Sequence, residues 1–157
     1  MVTMRQAVDF IVSGTAVFLK KEAKIKVDKK DYQSLNKQAF FLQQLTAWIH
    51  IDGDVNLDIA FSFEKVLIDE ILRCYAEELD YTEDEYEEYV TETAADVANI
   101  VIGNATANFE QAGMSVSISV PQVTSEAKNP NPDNNTPYYS ATLFTQFGQL
   151  RIAIQYR

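Results

Sequence analysis

The sequence predicts an α+β fold: a two-layer sandwich of a mostly antiparallel sheet with helices, one of them long and central, on one face. Three observations lead there. Residues 82–113 hold a helical apolar period with no proline. Residues 40–51 and 55–63 alternate apolar and polar side chains around Asp52-Gly53, as a hairpin with one greasy face does. After Gly113 the period returns to two as far as the C-terminus. Strands with one polar face need helices on the other. The 157 residues contain no repeat and no composition break, so the expectation is one domain over 1–157.

In chain order, residues 2–19 read as a first helix, with Val8, Ile11, Val12, Thr15, Val17, Phe18 and Leu19 giving its apolar side. Residues 23–28, AKIKVD, read as a short edge strand whose lysines discourage outside pairing. Residues 31–38 read as a connector. In the hairpin, Leu45, Ala47, Ile49 and Ile51 share one face with Val55, Leu57, Ile59, Phe61 and Phe63. A second helix spans 64–79, with Val66, Leu67, Ile68, Ile71, Leu72 and Tyr75 inward, and Asp80-Tyr81 links it to the long helix. There Thr82 and Glu85 form a capping box, and Gly113 ends the run. Val116, Ile118 and Val120 alternate with serines up to Pro121, which marks a bulge or a strand end. Residues 126–137 are a polar loop, and 138–147 and 150–156 are strands. The polar sheet face is expected to meet water or a partner.

Composition excludes several classes. A net charge of −10 disfavours phosphate-backbone binding and favours a partner with a basic patch. No apolar run reaches transmembrane length, and MVTMRQAVDF is too polar for a signal peptide. One cysteine, Cys74, fits a reducing cytoplasm. It lies in an apolar helix stripe and reads as a buried thiol. There is no phosphate loop and no CxxC. His50 is the only histidine and reads as structural. The acidic run Glu77–Glu92 lacks the spacing of a calcium loop and reads as a solvated face, and Tyr81, Tyr86 and Tyr89 within it read as packing residues.

The long helix has two faces. Val90, Ala94, Val97, Ala98, Val101, Ile102, Ala105 and Phe109 form a core stripe. Glu85, Glu92, Asp96, Asn99, Gly103 and Glu110 lie opposite, flanked by Ile100 and Ala107. Periodicity alone reads this as the wet side of an amphipathic helix. Two residues are unusual there: a mid-helix glycine costs about 1 kcal/mol against alanine, and Asn is a poor helix former. A helix that accepts both suits a small, polar, approachable surface.

The segment ADVANIVIGNA, 95–105, resembles the long-helix motif of the CheX/CheC family of chemotaxis phosphatases: Glu-x-x-Asn, a glycine four residues on, and a proline about twenty beyond the Asn. The matching positions are Asp96, Asn99, Gly103 and Pro121. The order of elements from about residue 40 onward agrees. The likeness is nearest to the CheX branch, which has one motif per chain. The first helix has Asp9 but Val12 where an Asn would be needed, so one site is expected.

The resemblance implies a cytoplasmic phosphatase for the aspartyl phosphate of a CheY-like receiver. Asn99 would orient the attacking water and Asp96 would pair with the receiver's lysine. Glu92, Ile100, Gly103 and Ala107 would contact the partner. No cofactor of its own is implied, since Mg²⁺ belongs to the receiver, and a homodimer joined through its sheets is expected. The sequence departs from the motif at Asp96, one methylene shorter than Glu. The alternatives are a non-enzymatic receiver-binding or motor-switch-like adapter, and a structural dimer module.

Overall fold

The computed structural model describes residues 2–36, 45–75, 81–125 and 138–157. The chain order is α1 (Met4–Glu22), β1 (Lys29–Asn36), β2 (Leu45–Gly53), β3 (Leu57–Phe63), α2 (Lys65–Tyr75), α3 (Glu83–Gln111), β4 (Val116–Ile118), β5 (Gln122–Thr124), β6 (Tyr138–Thr145) and β7 (Gly148–Tyr156). The strands form one sheet in the order β1-β6-β7-β3-β2-β4, with β5 also on β2. Every described pairing is antiparallel. The α+β sandwich is thus as the sequence predicts. Expectations for residues 37–44, 76–80 and 126–137 lie outside the described residues.

One sheet face supplies Ile49, Ile51, Leu57, Ile59, Phe61, Phe63, Leu150, Ile152 and Ile154 to a single core with the three helices. Each of these side chains is at most 1% exposed. The core stripe of α3 is buried throughout, from Val90 to Phe109. At 29 residues α3 is a rod of about 44 Å. It contacts α1, α2 and strands β2 to β5, so it is the element along which the other helices are laid. The Thr82–Glu85 capping box starts it. Gly113, at φ +84°, ends it in a left-handed conformation that suits glycine. Tyr81 lies 6.3 Å from Tyr86 and 5.5 Å from Tyr89 between ring centroids, so these tyrosines pack on one another at the acidic end.

Several expectations are corrected. The strand after α1 is Lys29–Asn36, not 23–28. Lys24 adopts φ 55°, which no strand allows, while Ala23 and Ile25 turn inward to plug the end of α1. Most of the segment read as a connector is therefore the edge strand. The ladder's first contact is Asp28 N–H to the Phe144 carbonyl at 2.8 Å. On α2, Val66 (60% exposed) faces outward, and Tyr75 (37% exposed) lies at the rim with its ring edge-on to Phe18 at 6.4 Å between centroids. The inward stripe is the narrower set Leu67, Ile68, Ile71 and Leu72. Cys74 is half-buried rather than buried, its thiol donating to the Ala23 carbonyl at 3.2 Å. The outer sheet face is not simply wet: Thr46, Ser62, Ser140, Ala60 and Ala153 are buried there, small side chains in adjoining rows. Strands β6 and β7 are interior, and the lysine-bearing β1 is the edge beyond them.

His50 joins two strands. Its Nδ1 lies 2.5 Å from Asp58 Oδ1, directly across β2 and β3. The same carboxylate oxygen accepts from Arg157 Nε at 2.7 Å. The C-terminal arginine thereby ties the last strand to the hairpin.

Candidate functional site

The site is built where α3 passes the outer edge of β2. Along that edge run β4 and β5, which are one interrupted strand. Ile51 opposes Ile118 and Trp48 opposes Gln122, so three steps along β2 match four on the partner. The extra residue falls at Val120-Pro121 and makes a β-bulge there. Proline cannot donate to a ladder, which is why the pairing breaks at this point. The flanks hold the bulge firmly. Ser119 N–H donates to the His50 carbonyl at 3.0 Å, and His50 N–H donates to Ser119 Oγ at 2.9 Å. Beyond the bulge, Trp48 Nε1 donates to Thr124 Oγ1 at 3.3 Å. At the other end, Ser115 N–H donates to Asp54 Oδ2 at 2.7 Å. Gly53, at φ +128°, brings its backbone so close there that a Cβ would sit 2.4 Å from the Ser115 carbonyl oxygen.

Between this bulge and the helix lies an open cleft of about 310 Å³, lined by Ala95, Asp96, Asn99, Ile118, Ser119, Val120 and Pro121. Asp96 and Asn99, one turn apart on α3, are both exposed. Neither side chain is tied by a hydrogen bond or ion pair to another described residue. The charge of Asp96 is felt nearby: burial, then Asp96, then Glu22 push the Tyr75 hydroxyl up to about 12. The cleft thus presents an unengaged carboxylate and an unengaged amide side by side.

The structure gathers the sequence-derived candidates unevenly. Asp96, Asn99 and Pro121, 22 residues apart at the extremes of the last pair, meet in one cleft. Gly103 is half-buried one turn beyond Asn99, and a Cβ there would meet nothing within 4 Å. Its own fold therefore gives no packing reason for a glycine. Glu92 and Ala107 are exposed on the same helix, one before and one after the cleft residues in sequence, and neither lines the cleft. Ile100, 40% exposed, faces the other way. It lines a groove of about 560 Å³ between α3 and α1 with Asp9, Phe10, Val17 and Asn104. Of the second wall the sequence singles out Pro121 and not Val120. Val120 continues the alternation of Val116 and Ile118, yet it is 84% exposed where those two are half-buried. The signal was Pro121 directly after it.

Among the described residues no group of three or more His, Cys, Asp or Glu side chains could hold a metal ion. None of the described helices is long and apolar enough to cross a membrane.

A family model described as chemotaxis phosphatase CheX matches residues 45–139. No protein with a curated description matches the chain. Among solved structures, the chain is similar to the chemotaxis protein CheX from Desulfovibrio desulfuricans, with TM-score 0.78 and 16% identity over 97% of this chain and 99% of that one. CheX from Vibrio vulnificus gives TM-score 0.80 and 16% identity over 97% and 99%. The CheX-CheY-BeF3-Mg²⁺ complex from Borrelia burgdorferi gives TM-score 0.74 and 15% identity over 96% and 97%. At such identities the likeness to these structures is one of fold.

Proposed function

This chain belongs to the CheX family of chemotaxis phosphatases, and from that premise we propose that it accelerates hydrolysis of the aspartyl phosphate on a CheY-like receiver. The observation that carries the reading is the cleft in which Asp96 and Asn99 stand unengaged beside Pro121. A protein of similar fold is seen in complex with CheY, which supports a receiver as the partner.

The chemistry asks little of this surface. Water attacks phosphorus in line, the bond from phosphorus to the receiver's aspartyl oxygen breaks, and inorganic phosphate leaves. Charge on the phosphoryl group is met by the receiver's own Mg²⁺ and lysine, so the helper supplies position and order. The Asn99 amide can accept a hydrogen bond from the water through its oxygen and donate through its nitrogen to a phosphoryl oxygen. Asp96, one turn back, reaches the receiver's lysine and fixes the pose. Because the lone Cys74 suits a reducing compartment, we place the reaction in the cytoplasm.

The test is the decay of a phosphorylated CheY-like receiver with and without this protein. Catalytic acceleration supports the reading. Binding without acceleration favours the adapter, an outcome that the short Asp96 side chain makes worth scoring. Asp96→Glu is expected to keep or raise the rate, since it restores the reach the motif normally has. Asp96→Ala is expected to weaken receiver binding by more than the roughly 0.2–1 kcal/mol of an exposed ion pair. Binding titrations check both, and an alanine variant as tight as the parent removes Asp96 from lysine recognition.

For assembly, we propose a two-fold dimer joined through sheet elements. Among the described residues β1 is the edge strand at the far end of the sheet from β4 and β5. Pairing there leaves both clefts open. Light scattering at micromolar concentration should give about twice the 17.8 kDa chain mass, and a clean monomer would rule this assembly out.

A further inference from the structure

We infer that Val120 is a second receiver contact, an apolar knob that grips the partner from the side of the cleft opposite Asn99; this rests on the receiver reading above. Val120 is 84% exposed, by far the most exposed of the large hydrophobic side chains in the described residues. It is not exposed through slackness. Ser119 on one side is hydrogen-bonded twice to His50, and Trp48 anchors Thr124 on the other. The bulge spends an extra residue at this point, and a bulge's effect is to re-aim a side chain. What it aims is a branched, stiff hydrocarbon, which loses little freedom when it is packed against a partner.

The occupant follows from continuity. Val120 and Pro121 form one wall of the cleft whose other wall carries Asp96 and Asn99. A cleft of about 310 Å³ is too small for a domain and large enough for a loop's side chains with a phosphoryl group and a water. A receiver that offers its aspartyl phosphate to Asn99 must bring the loops around that aspartate against Val120. Contact there would cover an exposed valine and keep bulk water from the hydrolytic one. It also selects partners: a receiver with a non-polar side chain on that loop is accepted, and one with a charge there leaves it desolvated and unpaired.

The experiment uses the whole chain and CheY from the same genome, phosphorylated with acetyl phosphate. Val120→Asp is expected to raise KM about tenfold or more while kcat changes little, the signature of a docking contact rather than a chemical one. Val120→Thr, nearly the same shape, should raise KM by a smaller factor, and Val120→Ile should keep it. Circular dichroism and thermal midpoint should be unchanged for all three, since the side chain faces water. Unchanged KM in Val120→Asp overturns the inference, as does a fall in kcat at constant KM. Asn99→Ala run beside them separates the failures. If it loses the acceleration while Val120→Asp behaves as the parent, only the knob is wrong. If Asn99→Ala accelerates as the parent does, the placement of the water at Asn99 falls, and if the parent itself gives no acceleration the receiver-phosphatase reading falls.

Discussion

Replacing Asn99 with alanine is expected to cut the acceleration of receiver dephosphorylation by about 100-fold or more, the scale at which misplacing a reacting group by about 1 Å is felt. The amide is proposed to hold water between the two walls of the cleft, and no other described side chain lining it carries an amide. The fold should not suffer. Asn99 is exposed and bonded to no other described residue, and alanine is the better helix former by roughly 0.5 kcal/mol. Receiver binding should persist through Asp96. A variant with undiminished acceleration, or one that has lost its thermal transition, would contradict this account of Asn99. Asn99→Asp tests the amide itself: it keeps the size, loses the donor and adds a charge facing a phosphoryl group, so it should be as slow as alanine or slower.

The fold was legible wherever one period ran unopposed. The stripe Val90 to Phe109 and the inward faces of β2, β3 and β7 are side-chain periodicities. Every inward apolar residue they mark from Ile49 to Phe63 and from Leu150 to Ile154 is buried, whereas the burial of Thr46, Ala60, Ser62 and Ala153 on the other face follows no such period. The reading slipped where a local backbone event outranked pattern. Ala23, Ile25 and Val27 alternate as a strand would, but a left-handed Lys24 uses them to close α1 and moves the strand on to Lys29. Val120 continues an apolar alternation begun at Val116, but a bulge before Pro121 turns it outward. Sheet order escaped for another reason. Nothing in 138–157 tells a strand that β1 will cover its neighbour, because that contact joins residues more than a hundred apart in sequence. At the site, the spacing of Asp96 and Asn99 puts both on one helix face from sequence alone. Only the folded chain shows that this face has a second wall.

Gly103 is where stability and function are expected to part. Glycine in a helix interior costs about 1 kcal/mol against alanine. A Cβ at this position meets nothing within 4 Å, so no clash offsets the gain. Gly103→Ala should therefore stabilise the protein by about 1 kcal/mol in denaturant unfolding. Gly103→Leu should stabilise it by nearly as much, since leucine is also a strong helix former. Yet Gly103 stands one turn beyond Asn99 on the face proposed to meet the receiver. A leucine side chain there projects several times the roughly 1 Å tolerance of a near-attack geometry. We expect kcat/KM for the phosphorylated receiver to fall at least about tenfold in Gly103→Leu, with a smaller loss in Gly103→Ala. The opposite signs make the measurement decisive. A leucine variant that is both more stable and fully active would mean that the partner does not come close to this turn, and the glycine would again be a helix defect without a purpose.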